Sequence, residues 1–190
     1  MGLLVSGLVL FLGVHSISIL NDPWRERMVS KLGKWPWKGL YSLVSIVGFV
    51  LIIQGYGAAR FDTVFLYFPA PWLKHLAMLL LIPVFPLLLA TYLPGRISSS
   101  VKHPMLLATI LWALSHLQVN GRQGDVLLFG SFLLWAFLDL ASMRHRAQRP
   151  LPGAPESKSN DLIALIGGFI LYAVFVICLH GVLIGAPLVG

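Results

Sequence analysis

Residues 40–59 read LYSLVSIVGFVLIIQGYGAA. The block is apolar from end to end. Its length is close to the roughly 20 residues that a helix needs to cross ~30 Å of hydrocarbon. Five further blocks of the same character surround it, at 2–20, 72–93, 104–119, 126–143 and 162–188. They are blocks and not periodic stripes, and a backbone inside lipid must satisfy its polar groups internally, which favours helices over long strands. The reading is an all-α, polytopic membrane helix bundle of six transmembrane helices in a single membrane domain. The fourth block is the shortest of the six.

Composition agrees. Residues of the AVILMFWYC set make up 57% of the chain and charged residues 11%, and the mean hydropathy is +0.84. A water-soluble globule carries about 25% charged residues, so soluble enzymes and disordered proteins are excluded. Cys178 is the one cysteine among the 190 residues, which leaves no disulfide framework and no cysteine-based zinc site.

The net charge of +7 is a topology signal. Loops 21–39, 94–103 and 144–161 hold Arg25, Arg27, Lys31, Lys34, Lys38, Arg96, Lys102, Arg144, Arg146, Arg149 and Lys158; the alternate loops hold Arg60, Lys74 and Arg122. Cytoplasmic loops carry the excess of Lys and Arg. That puts loops 21–39, 94–103 and 144–161 in the cytoplasm and both termini on the periplasmic side. Nucleic acid is not needed to explain the basic balance, and the lipid bilayer is the partner. The first block has no positive region ahead of it and no small-residue cleavage pattern, so it reads as a span and not as a signal peptide. A myristoylation-like match at Gly2 falls inside that span, where a lipid anchor adds nothing.

Asp22-Pro23 reads as a helix start. Trp24, Met28 and Leu32 then recur every four residues, with Arg25, Arg27, Lys31 and Lys34 facing elsewhere, and Gly33 serves as the stop. This is a short amphipathic helix on the cytoplasmic surface, acting as a membrane anchor or as a substrate gate. Loop 144–161, with Pro150, Pro152, Gly153 and Pro155, reads as a flexible tether.

Ionisable groups inside a bilayer are expensive and informative. His15 lies roughly 20 Å along the first helix from Gly2, and His116 roughly 20 Å along the fourth from His103. Each is a core histidine bonded to a neighbouring helix, or a metal or haem ligand. Their depths differ by ~10 Å in ~30 Å of core, so both reach one iron only if the porphyrin tilts toward the membrane plane. Asn120-Gly121 ends the fourth helix as a turn. Asp139 pairs with Arg144 or a nearby lysine, or supports a ligand histidine. Cys178 and His180 do not share a helix face. His75 and His145 read as solvated. Pro83 and Pro86 each kink the third helix, either opening room for a cofactor or an apolar small molecule or as simple packing.

The runs Lys102-His103-Pro104-Met105, Leu111-Trp112-Ala113-Leu114-Ser115-His116 and Asn120-Gly121 resemble the NnrU family, as do His15-Ser16 and residues 39–45 around Tyr41. The likeness covers nearly the whole chain. It implies a bacterial inner-membrane protein associated with denitrification and nitrogen-oxide metabolism. A relative of that family is the 15-cis-zeta-carotene isomerase, which uses haem b. The resemblance therefore implies haem b held by His15 and His116, with His103, Asn120, Asp139 and Tyr41 as supporting or structural residues. In the isomerase a cysteine three residues before the second histidine also ligates iron; here that position is Ala113, so no thiolate ligand switch is implied. A more distant likeness, on Lys102-His103-Pro104, is to the isoprenylcysteine carboxyl methyltransferases, although their following Tyr-x-Gly is missing. Three functions are thus expected to compete. They are a haem protein acting on an apolar, carotenoid-like ligand or on nitrogen oxides, a non-catalytic accessory protein for a respiratory enzyme, and an S-adenosylmethionine-dependent methyltransferase.

Overall fold

The computed structural model describes residues 1–61, 63–146, 149 and 151–185. Among them the chain is helical, with one isolated antiparallel bridge between Phe65 and Arg122. The helices are α1 (Gly2–His15), α2 (Ile17–Leu32), α3 (Lys34–Ala59), α4 (Leu73–Leu81), α5 (Val84–Tyr92), α6 (Arg96–Val101), α7 (Pro104–Val119), α8 (Gln123–Ser142), α9 (Asn160–Val174) and α10 (His180–Ile184), with a π-helical stretch Phe175–Leu179 joining the last two. Four stretches are long and apolar enough to cross a membrane: Lys34–Ala59, Leu73–Tyr92, Gln123–Ser142 and Asn160–Ile184. Counting α1 and α2, bent by 55°, as one span makes five. Helix α7 has 16 residues, about 24 Å of rise against ~30 Å of hydrocarbon. Large side chains such as Val9, Ile53, Ile177 and Val182 stay outside the protein core, as expected of faces that meet lipid rather than water. The end of the sixth apolar block, residues 186–188, lies outside the described residues.

The chain divides into two compact units: residues 1–70 with 116–148, and residues 71–115 with 149–190. In the first, α1 packs against α3 with backbones almost touching. A Cβ on Gly7 would lie 2.6 Å from the Ile52 nitrogen, and one on Gly48 would lie 2.7 Å from the Phe11 nitrogen. Gly55 meets the backbone of Leu3 and Leu4. The facing pairs descend along α3 as they ascend α1, so the helices run antiparallel. Small residues let membrane helices approach this closely, which gains dispersion contacts and weak hydrogen bonds where water supplies no driving force.

The amphipathic segment forms, with one change at its start. Helix α2 breaks at Asn21 (φ −155°, ψ 76°). The cap is Asn21, not Asp22: its side-chain oxygen accepts the Trp24 N–H at 3.0 Å. Non-helical dihedrals let Asn21 fold its carboxamide back over the first turn, and Pro23 then sits where no N–H is needed. Gly33 stops the helix at φ 87°, a conformation that costs glycine nothing. Helix α3 begins at Lys34, six residues before the apolar block that predicted it.

The loop between α3 and α4 is also pinned. The Tyr67 hydroxyl donates to the carbonyls of Leu117 and Asn120, and the Gly121 carbonyl accepts from the Leu66 N–H at 2.8 Å. Arg122 donates to the Arg60 carbonyl. Partial burial, and then the Asp125 carboxylate, push the Tyr67 phenol above its ordinary range. Its donor therefore stays in place below the usual phenol pKa of about 10 and is lost as the pH climbs through the raised value.

In the second unit the predicted kink falls at Ile82–Pro83, between α4 and α5. The Tyr172 hydroxyl donates to the Met78 carbonyl, one turn before the break, at 2.9 Å. Pro86 does not kink the chain. It is the third residue of α5, where the missing N–H would have had no helical partner. Gly168 of α9 lies against the Pro86 ring and backbone, so the space beside the prolines is filled by packing. Loop 94–103 contains the short helix α6, whose Arg96 and Ile97 N–H groups donate to the Asp161 carboxylate at 2.9 and 3.0 Å. The end of the expected tether is tied down as well. The Ala154 N–H donates to the Tyr92 carbonyl at 2.9 Å, and the Asn160 amide to Pro94 and Pro155. Residues 147, 148 and 150 of that loop lie outside the described residues.

The glycine contact gives a contrast to measure. Gly55→Ala drives a methyl group into the α1 backbone and should cost about 1–3 kcal/mol, whereas Gly57→Ala, with nothing within 4 Å, should be neutral or slightly stabilising. Thermal unfolding in detergent reads both, and equal midpoints for the two variants would refute the close approach.

Candidate functional site

His15, Tyr41, His116, Asn120 and Asp139 all belong to the first unit; His103 belongs to the second. His15 is the last residue of α1, where the helix bends. Its Nδ1 lies 2.7 Å from the Phe11 carbonyl oxygen. A carbonyl only accepts, so Nδ1 carries the proton and Nε2 keeps its lone pair. The ring stacks on Phe11 at 4.3 Å and takes Tyr41 edge-on at 5.2 Å and Trp135 edge-on at 6.1 Å.

His116 lies in the last turn of α7 and stacks on Phe129 at 4.5 Å. Its carbonyl accepts both the backbone N–H and the side-chain amide of Asn120 at 2.9 Å, so Asn120 closes the helix end. Trp135 and Phe129, the partners of the two histidines, stand six residues apart on α8, about 9 Å along its axis. Phe132 lies between them in sequence and meets Phe11 at 5.8 Å. Two imidazole layers on one helix are thus separated by a layer of phenyl rings.

Helix α8 supplies most of this. Its inner face carries Asp125, Phe129, Phe132, Trp135 and Asp139 at helical spacing, and both carboxylates are buried. Asp125 accepts the Tyr56 hydroxyl at 2.8 Å and the Arg122 N–H at 3.2 Å, and Tyr56 lies edge-on to Phe129. Asp139 pairs with Arg146, not with Arg144 or a lysine. Arg144 is exposed, while Arg146 follows Asp139 by seven residues, two helical turns, and is carried back onto it by the turn that ends α8. The Asp139 carboxylate also acts electrostatically on His15 and Tyr41. The Trp135 Nε1–H is buried without a hydrogen-bond partner.

Elsewhere, the His103 carbonyl accepts the Leu107 N–H at 3.1 Å, which makes it the residue that starts α7. Lys102 before it has φ 64°, and the His103 N–H reaches back to Val101 at 2.8 Å, a tight three-residue turn. His75 and His145 are exposed, and Ala113 is fully buried. No group of three or more His, Cys, Asp or Glu side chains suited to a metal ion occurs among the described residues. Asp125, Tyr56, Phe11 and Trp135 escape a reading of the sequence. Asp125 stands one residue outside the predicted fifth span, and aromatic residues in an apolar block give no sign of which face they take.

The Asp139–Arg146 pair sets up a double-mutant test. Asp139→Ala strands a buried cation and should cost about 3–5 kcal/mol. Asp139→Leu combined with Arg146→Met should recover most of that loss in a detergent melt. A double variant as unstable as the single one would show that the pair is not what the helix end requires.

Among known proteins, no curated protein and no solved structure matches the chain. A family model described as NnrU protein matches residues 3–188, a range that contains α2 to α10, both histidine layers and nearly all of α1. With helices able to span a membrane and a match running almost from end to end, the chain belongs to the NnrU family.

Proposed function

We propose that this NnrU-family membrane protein binds haem b in its first unit, with His15 and His116 as the iron ligands. The observation that carries the reading is the Nδ1 bond of His15 to the Phe11 carbonyl. Metal-bound histidines nearly always donate their other ring N–H to a carbonyl, carboxylate or water, which fixes the ring and presents the free nitrogen. The buried, unpartnered Trp135 Nε1–H beside that ring offers a donor to an acceptor atom of a bound group. On the His15 side these donors suit a haem ligand. Phe11 and Phe132 occupy the layer between the imidazoles, and haem held by both histidines would require these two rings to be displaced. Tyr41 and Asp139 position His15, and Asn120 holds the end of α7 that carries His116. Bound haem would supply redox or isomerase-type chemistry on an apolar ligand, or the handling of nitrogen oxides in denitrification.

The surrounding architecture in this proposal is six spans, with α7 as a short one, in a bacterial inner membrane with both termini periplasmic. The eleven-to-three bias of Lys and Arg between alternate loops supports it.

The Phe11–Phe132 contact favours a second reading. An interior closed by aromatic rings suits a non-catalytic accessory protein for a membrane respiratory enzyme. Absorption spectra separate the two. Protein made with ample haem should show a Soret band that shifts on reduction. His15→Ala and His116→Ala should each abolish it, and His75→Ala should leave it intact. A colourless wild type, or a band indifferent to both histidines, rejects the haem reading.

A further inference from the structure

An apolar groove of about 190 Å³ lies at the 55° bend between α1 and α2. Its walls are Val14 before the bend, Ile17 and Trp24 after it, and Trp37, Leu40, Tyr41 and Val44 along α3. The groove is built by the fold of the segment. Ser16 turns its hydroxyl onto the Leu12 carbonyl at 2.6 Å, α2 breaks at Asn21, and Trp24 returns to meet the buried Trp37 edge-on at 5.9 Å.

The surrounding chain is strongly cationic. Residues 22–38 hold Arg25, Arg27, Lys31, Lys34 and Lys38 against Asp22 and Glu26. Arg25 follows the wall residue Trp24 directly and acts electrostatically on Tyr41, another wall residue. Glu26 is engaged by Arg25 at 2.7 Å, and Lys38 lies over the Trp35 ring. An apolar slot on a segment that holds five cations against two carboxylates, with Arg25 next to the wall residue Trp24, matches one kind of occupant, an amphiphile with an apolar tail and an anionic head.

We infer that this groove seats one acyl chain of an anionic phospholipid, whose phosphate takes the place of the Glu26 carboxylate on Arg25. The amphipathic segment is then more than a surface anchor: Trp24 closes over the tail while the segment's excess of cations favours an anionic headgroup. A neutral lipid would fill the same walls but leave the cations without a partner. The inference is independent of haem, which the Soret band reads separately.

The test uses the full chain in nanodiscs of equal phosphatidylglycerol and phosphatidylcholine, with retained lipid counted by native mass spectrometry after detergent extraction. Wild-type protein should retain one phosphatidylglycerol. Arg25→Gln should reduce the preference for it about fivefold, as expected for one cation near a headgroup. Leu40→Trp, which fills the groove, should abolish retention with an unchanged helical circular dichroism signal. If Leu40→Trp loses that signal, Arg25→Gln decides alone. Equal retention of both lipids by the wild type, a preference unmoved in Arg25→Gln, or a free fatty acid in place of the phospholipid overturns the inference.

Discussion

The near-contact of two backbones, α1 against α3, sets the geometry of the first unit. In lipid there is no hydrophobic force to press helices together, so association depends on close fit. Gly7, Gly48 and Gly55 provide that fit by having nothing beyond Cα. Once Leu4 faces Gly55 and Phe11 faces Gly48, the antiparallel register is determined. The next turn of α1 places His15 beside Tyr41, and the bend that follows lies where α3 can line a groove. A larger side chain at any of these glycines would separate the helices and take His15 away from its neighbours.

Helix α8 solves a different problem. A carboxylate in an apolar surrounding is tolerated only when it is paired or hydrogen-bonded. Asp125 meets Tyr56 and a backbone N–H near one end of α8, and Asp139 meets Arg146 near the other. Between these two satisfied charges the same face turns aromatic, and both imidazoles stack or abut there. The face therefore combines rigid rings, the lone-pair nitrogen of His15 and a charge within electrostatic reach of it. Together they make a closed interior, in which the Phe11 and Phe132 rings meet between the two histidine layers.

The ends of the helices show how local signals and tertiary partners share the work. Gly33 stops α2 by its own conformational freedom. The cap at the other end is Asn21 instead of Asp22 because the non-helical dihedrals fall at Asn21, whose carboxamide then folds over the first turn. Helix α6 was read as loop because its cap is Asp161, 64 residues beyond Ile97. Pro83 breaks its helix and Pro86 does not, since the break itself makes Pro86 a first-turn residue. For α6 the deciding partner lies far outside the window in which a local pattern can be read.

Hydrophobicity per residue, summed over blocks such as 40–59, was enough to determine helices, their number within one or two, and membrane character, because burial in lipid is an additive property of composition. It also marked His15, His116 and Asp139 as costly residues to keep, without showing their neighbours. Tertiary structure alone decided that Arg146 neutralises Asp139, that Asp125 and Tyr56 join the His116 layer, and that Phe11 and Trp135 bracket His15. Contacts of this kind depend on helix rotation and register, which glycine-to-backbone fit determines over distances of a few tenths of an ångström, and no one-dimensional pattern carries that information.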